Sequence, residues 1–227
     1  MQTKPLASQQ TRFLPSQHGF RFCNSFIGLG LPWINAMPWL TQLLKTDPYR
    51  HGLCGGMCFA ALDHFWANRP IPAIDEVPSG PSALYRYLDR RQVNTYRRGW
   101  VIGLFFLWTA RSDVTLQRLT ITEINRVKQR LDQGEPVVLG LILTQSVRKL
   151  TTNHQVIAYG YRENESGITL QIYDPSIPNN NEVVIEVTLS ETGATLTEHN
   201  NQTHTSRPIR GLFIIPYKPV APSLSQP

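Results

Sequence analysis

Apolar positions change their spacing near the middle of the chain, which predicts helices first and strands afterwards. Between residues 54 and 68, Met57, Ala60, Ala61, Leu62, Phe65 and Trp66 give a helix that is apolar almost all round, closed by Arg69-Pro70. Such a helix belongs at the centre of a core. A second helix is predicted after Ser79-Gly80-Pro81, carrying Leu84, Tyr85 and Leu88 toward the core, with proline accommodated in its first turn. For a third, Thr120-Ile121-Thr122-Glu123 reads as a capping box, Ile124, Val127 and Leu131 recur at helical spacing, and Gly134 marks the stop. Beyond it the spacing is that of strands, over residues 136–143, 154–161, 168–173, 183–189 and 209–217. Turn-forming residues at 163–167 and 176–181 make an antiparallel meander the economical connection. Helices followed by a sheet predict an α+β fold, with a central N-terminal helix packed against a largely antiparallel C-terminal sheet.

Composition fits one core. The 227 residues are 41% hydrophobic and 17% charged, enough to bury a sizeable interior, and no internal stretch has the character of a linker, so residues 1–227 are read as one domain. Both ends are polar and carry proline, which predicts flexible tails at 1–17 and 219–227. Glycine, proline and aromatics between residues 20 and 39, with breaks at Pro32, Pro38 and Pro48, predict an extended, packed arm. The longest apolar stretch, 100–110, is far short of the roughly 20 residues a membrane span needs, and no signal-peptide core follows Lys4. A cytoplasmic location is expected.

The net charge of +6 comes partly from Arg86, Arg90, Arg91, Arg97 and Arg98, spaced as the solvated side of a helix and the loop after it. No helix-turn-helix, zinc finger or RNA-binding motif accompanies them, so nucleic acid is not an expected partner, although the balance favours acidic ones. His18, His199 and His204 lie in polar surroundings and are expected at the surface.

Cysteine usage narrows the chemistry. Three cysteines, Cys23, Cys54 and Cys58, are too few and odd in number for a disulfide framework. Cys54 stands where the glycine-rich segment His51-Gly52-Leu53-Cys54-Gly55-Gly56 enters the apolar helix. Unpaired N–H groups and positive dipole potential at a helix N-terminus favour a thiolate and can hold an oxyanion. Downstream, Asn153-His154-Gln155 opens one strand and Asp174-Pro175 closes the next. If these strands form a hairpin through the 163–167 turn, His154 and Asp174 emerge at the same end of the sheet. A thiol, a base and a carboxylate that orients the base are the three parts of cysteine catalysis. A metal-ligand reading of His51, Cys54, Cys58 and His64 lacks both the spacing of a zinc knuckle and a second Cys/His pair, so no metal is expected. No phosphate loop, dinucleotide fingerprint or serine nucleophile elbow is present.

The order Cys54, His154, Asp174, with the thiol opening an apolar helix and the other two on successive strands, resembles the papain-like cysteine peptidases. Within them, Cys54-Gly55-Gly56-Met57-Cys58 with the strand-borne His154 and Asp174-Pro175 is similar to the leader-processing peptidases attached to bacteriocin transporters and their free-standing relatives. The resemblance spans roughly residues 52–175. It implies Cys54 as nucleophile, His154 as base, Asp174 as its orienting acid, a peptide or amide substrate, and no cofactor.

Two departures stand out. The family's glutamine, an oxyanion donor a few residues before the nucleophile, has no counterpart in residues 46–53, which leaves either Asn24, folded back onto the site, or backbone N–H groups alone. Cys58-Phe59-Ala60 also aligns with papain's own catalytic segment; Gly55-Gly56, as the turn into the helix, favours Cys54. Transglutaminase-like acyl transfer and a non-catalytic binding module that keeps the fold are the competing readings.

Overall fold

Near-continuous apolar runs in the two central strands place them between two layers of side chains, because successive residues of a strand point to opposite faces. The computed structural model describes residues 6–27, 50–80 and 82–222. Its strands are β1 Ser8–Gln10, β2 Phe26–Ile27, β3 Arg50–His51, β4 Val137–Ile142, β5 His154–Asn164, β6 Gly167–Tyr173, β7 Val183–Ser190, β8 Gly193–Asn200, β9 Thr205–Ile209 and β10 Gly211–Ile214. Its α-helices are α1 Pro15–His18, α2 Cys54–Trp66, α3 Ala83–Thr95, α4 Trp100–Thr109 and α5 Asp113–Asp132, with 3-10 turns at Arg97–Gly99 and Val147–Thr152. The fold is α+β. No helix among the described residues is long and apolar enough to cross a membrane.

The large sheet has the order β10-β4-β5-β6-β7-β8-β9, every pair antiparallel, and it curls. On one face Val138, Ile157, Tyr159, Tyr173 and Phe213 pack with α2, α3 and α4; on the other Leu139, Val156, Ala158, Leu170 and Ile185 pack with Ile124, Val127 and Leu131 of α5. The expected meander is present, and it is longer than expected. The run anticipated over 209–217 divides into β9 and β10 at Arg210, and β8 was not anticipated at all. Its sequence, Gly-Ala-Thr-Leu-Thr-Glu-His-Asn, is mostly polar although most of it is buried, because Glu198 pairs with Arg207 and Asn200 with Asn180. Pro208 is tolerated in β9 because that strand is the sheet's edge.

Further expectations are corrected. The third helix starts at Asp113 with Ser112 as its cap, not at Thr120. Thr120 is fully buried in mid-helix, its Oγ1 facing the Leu212 N–H, and Glu123 accepts a 2.9 Å hydrogen bond from the Ile214 N–H. The two side chains thus satisfy the free edge of β10. Residues 6–17, anticipated as a tail, belong to the fold: β1 pairs with the second half of β5, and Phe13 is fully buried. At the other end Val220 donates its N–H to Asp63, while 223–227 lie outside the described residues. Arg91, placed on a solvated face by its spacing, is buried against Asp63 instead; Arg86, Arg90 and Arg97 are exposed. His18 is half-buried, its ring edge-on to Phe65 and its Nδ1 accepting the Leu14 N–H. Of the arm over 20–39, residues 28–39 and the aromatic residues Trp33 and Trp39 lie outside the described residues.

Candidate active site

The start of α2 is built from three directions. Gly56 lies so close to α3 that a Cβ there would collide with the Leu88 carbonyl, and one on Gly55 would collide with the Gln155 side chain. The glycine pair therefore sits inside the helix and allows close approach; it is not the turn into the helix. Of the N-terminal N–H groups, Gly56 N–H donates to Gln92 Oε1 of α3 at 2.8 Å, and Leu53 N–H donates to Asn24 Oδ1 at 2.6 Å. The Cys54 and Gly55 N–H groups make no hydrogen bond to a described residue.

Asn24 is folded back onto the site. Its own N–H donates to the Pro175 carbonyl at 3.0 Å, so it ties the end of β6 to the start of α2, with its Nδ2 over Gly52. Orientation of the side-chain amide is fixed by the Leu53 contact.

His154 and Asp174 emerge together at the end of the β5–β6 hairpin, as the 20-residue spacing suggested. His154 Nε2 lies 2.6 Å from Asp174 Oδ1, and both side chains are buried. The negative charge at Cys54 also acts on the imidazole and favours its charged form. With Nε2 held by Asp174, Nδ1 is the nitrogen left for sulfur. Cys54 is half-buried, whereas Cys58 is fully enclosed one turn on, where its thiol meets the Gln155 carbonyl at 3.5 Å. Burial, with the neighbouring charges of Cys54 and Asp174, pushes the Cys58 thiol well up, so it stays protonated.

Electrostatics lock the pair into its charged form. Burial alone would lower the His154 pKa, but the Asp174 and Cys54 charges and the hydrogen bond to Asp174 raise it well above the ordinary histidine value. Burial raises the Asp174 carboxyl, and against it the His154 charge and hydrogen bond, the Ser176 N–H at 2.7 Å and the Arg207 guanidinium bring the net pKa below the ordinary one.

Several side chains at the site carry no local sequence pattern. Gln92 spans Gly56 and the Tyr96 hydroxyl, to which its Nε2 donates at 2.7 Å. Burial and then the charge at Cys54 push the Tyr96 hydroxyl up, so it is a neutral neighbour of the sulfur. Gln92 and Tyr96 are one helical turn apart on α3, a spacing that puts them on one face but says nothing of Cys54. Cys23 is exposed, and its Sγ donates to the Ser176 carbonyl at 3.3 Å.

Arg207 and Glu198 are directly opposite each other on β9 and β8. Arg207 Nη2 is 2.6 Å from Glu198 Oε2 and 3.5 Å from Asp174 Oδ2, so one cation separates two buried carboxylates. Arg207→Gln would leave those carboxylates facing each other. Because the guanidinium is 40% exposed, the expected loss is about 1–2 kcal/mol rather than the larger value of a fully buried pair. Adding Glu198→Gln is expected to recover most of it in urea unfolding at pH 7. Strictly additive effects of the two substitutions would refute this account.

The metal-ligand alternative finds no support in the geometry. His51 Nε2 meets the Tyr85 hydroxyl at 3.0 Å, His64 Nδ1 meets the Pro70 carbonyl at 2.8 Å, and no group of three potential ligands converges among the described residues. No family profile, no curated protein and no solved structure matches the chain.

Proposed function

We propose that the chain is a cysteine-dependent peptidase or amidohydrolase of papain-like type, acting through a thioester acyl-enzyme. The observation that carries this reading is the buried His154–Asp174 pair, 2.6 Å apart, with Cys54 beside it at the N-terminus of a buried helix, brought together from three separate segments. Buried ionisable groups are costly unless they are paired, and pairs that share charge with a thiol in this way serve nucleophilic catalysis.

The thiolate of Cys54 attacks the substrate carbonyl, and the carbonyl π electrons move onto oxygen. That oxyanion rests against the Cys54 N–H, with the Asn24 amide as the second donor in place of the family's glutamine. The His154 imidazolium gives its proton to the departing nitrogen as the carbon–nitrogen bond breaks, leaving a thioester and an amine. Neutral His154 then takes a proton from water, whose oxygen attacks the thioester; collapse expels the thiolate and releases the acid. Asp174 holds the imidazole ring and favours its cationic form throughout. No metal or organic cofactor enters these steps.

Iodoacetamide tests the reading without knowledge of the substrate. At pH 6 the protein is expected to lose one thiol to rapid alkylation, mapped by peptide mass to Cys54, with Cys58 untouched and Cys23, whose thiol burial and the Asp174 charge push up, reacting more slowly than an ordinary thiol. His154→Ala is expected to slow Cys54 alkylation at this pH by about tenfold or more. Preferential labelling of Cys58, or a Cys54 rate indifferent to His154, would sink the proposal.

A further inference from the structure

A ten-residue helix without a charged side chain lies on the outside of the molecule. In α4, Trp-Val-Ile-Gly-Leu-Phe-Phe-Leu-Trp-Thr, the sheet receives Val101, Phe105 and Trp108, and Phe105 and Trp108 stack against Phe213 of β10. On the opposite side Trp100, Gly103 and Leu107 follow helical spacing and remain uncovered, Trp100 54% exposed and Leu107 48%, with Leu104 between them only partly buried. Helices apolar on all sides are ordinarily buried on all sides. An indole and a leucine aligned on one exposed stripe point to an apolar surround that the protein alone does not supply.

The charge around the stripe is of one sign. Between Asp89 and Asp113 the sequence has no carboxylate, and of its five arginines Arg91 is buried against Asp63. Arg97 precedes α4 and Arg111 follows it, and the Val147–Thr152 turn packed against α4 adds exposed Val147, Arg148 and Lys149. None of Arg97, Arg111, Arg148 and Lys149 forms an ion pair with a described residue. Asp113, the first acid beyond α4, is already engaged by Arg210.

We propose that the exposed face of α4 with its cationic rim docks on the surface of a bilayer containing anionic lipid. Trp100 and Leu107 enter the boundary between headgroups and acyl chains, and the arginines and Lys149 meet lipid phosphates and carboxylates. At about 1.5 Å per residue a ten-residue helix is too short to span a bilayer but suits lying in its interface. A second copy of the chain is the poorer occupant, since a two-fold contact on this face would set one cationic rim against another with no carboxylate to pair it.

Flotation of the full-length protein with lipid vesicles tests this. Phosphatidylcholine vesicles containing 30% phosphatidylserine are expected to carry about tenfold more protein than phosphatidylcholine alone, and the difference should shrink in 0.5 M salt. Trp100→Ser/Leu107→Ser and, separately, Arg97→Glu/Arg148→Glu are expected to abolish most of the binding while thermal melts remain as in the wild type, because these side chains are exposed. Absence of binding to the anionic vesicles would overturn the proposal. So would equal binding to both vesicle types, retention of binding by either double variant, or a dimer in solution that the serine pair dissociates.

Discussion

Asp174→Asn is expected to move the pH at which His154 gives up its proton from well above the ordinary histidine value to below it. The sign follows from the opposing influences on the imidazole. Burial favours the neutral ring, and only the charges of Asp174 and Cys54 with the Asp174 hydrogen bond overcome it. Asparagine removes the nearest negative charge and leaves the burial in place. A carboxylate at hydrogen-bond distance is worth about 1–3 pH units, so His154 in the variant should titrate that much lower. The raised histidine supplies stability that is complete below the ordinary value and is lost as pH rises through the native one. The lowered Asp174 supplies stability that is present above the ordinary carboxyl value and is lost as pH falls through its native one. Both contributions are therefore complete in the mildly acidic window between the ordinary carboxyl and the ordinary histidine values, and the substitution removes them together.

The readout is the His154 imidazole Cε1–H resonance followed over pH, with Cys54 alkylation at pH 7 as its partner. Alkylation should fall about tenfold or more in Asp174→Asn, because each pH unit is a factor of ten in the imidazolium that holds the thiolate. An unmoved resonance would mean that Asp174 is a turn residue whose bond to His154 has no electrostatic consequence. The variant also keeps an oxygen for the Ser176 N–H, so a folding defect is separable by its melt.

What was legible in the chain is the part written in short-range patterns. The apolar block after Cys54, the two strands and the 163–167 turn are each local, and together they suffice to bring His154 beside Asp174. The α5 boundary was misplaced because Thr120 and Glu123 imitate a cap while serving the backbone of β10, some 90 residues away in sequence. Gly55-Gly56 was readable as special but not for the right reason, since the atoms that demand glycine belong to Leu88 and Gln155. Gln92, Arg207 and Glu198 were invisible for the same cause: their partners are set by how the sheet curls and how α3 crosses α2. Polar strands such as β8 escape a reading that looks for apolar alternation.

Asp63→Ala is expected to cost about 3–5 kcal/mol, the largest stability loss of any single substitution considered. The carboxylate is almost wholly buried and gathers five donors. Oδ1 accepts from Arg91 Nη2 at 3.0 Å, the Tyr217 hydroxyl at 2.7 Å and the Val220 N–H at 3.1 Å; Oδ2 accepts from the Tyr87 hydroxyl at 2.7 Å and faces Arg91 Nε at 2.7 Å. Alanine leaves a buried guanidinium without an anion and two buried hydroxyls without an acceptor. The stacking of Arg91 over Phe59, 4.9 Å from the ring centroid, cannot replace the lost charge. For a chain of this size the loss corresponds to a melting temperature lower by about 6–20 °C. A drop of under 1 kcal/mol in urea would show that Arg91 finds another partner or water.

The consequence reaches the thiol. Asp63 lies nine residues along α2 from Cys54, about 13 Å at 1.5 Å per residue. The crossing of α2 with α3 is pinned at one end by Gly56 and Gln92 and at the other by Asp63, Arg91 and Tyr87. Releasing the far pin loosens the helix whose N-terminus presents Cys54. The Asp63→Ala/Arg91→Met double variant removes both charges at once and is expected to recover stability relative to Asp63→Ala, because no buried charge is then unpaired. If instead the double variant is the less stable of the two, the ion pair is not what fastens α2 to α3, and the position of Cys54 depends on the apolar contacts alone.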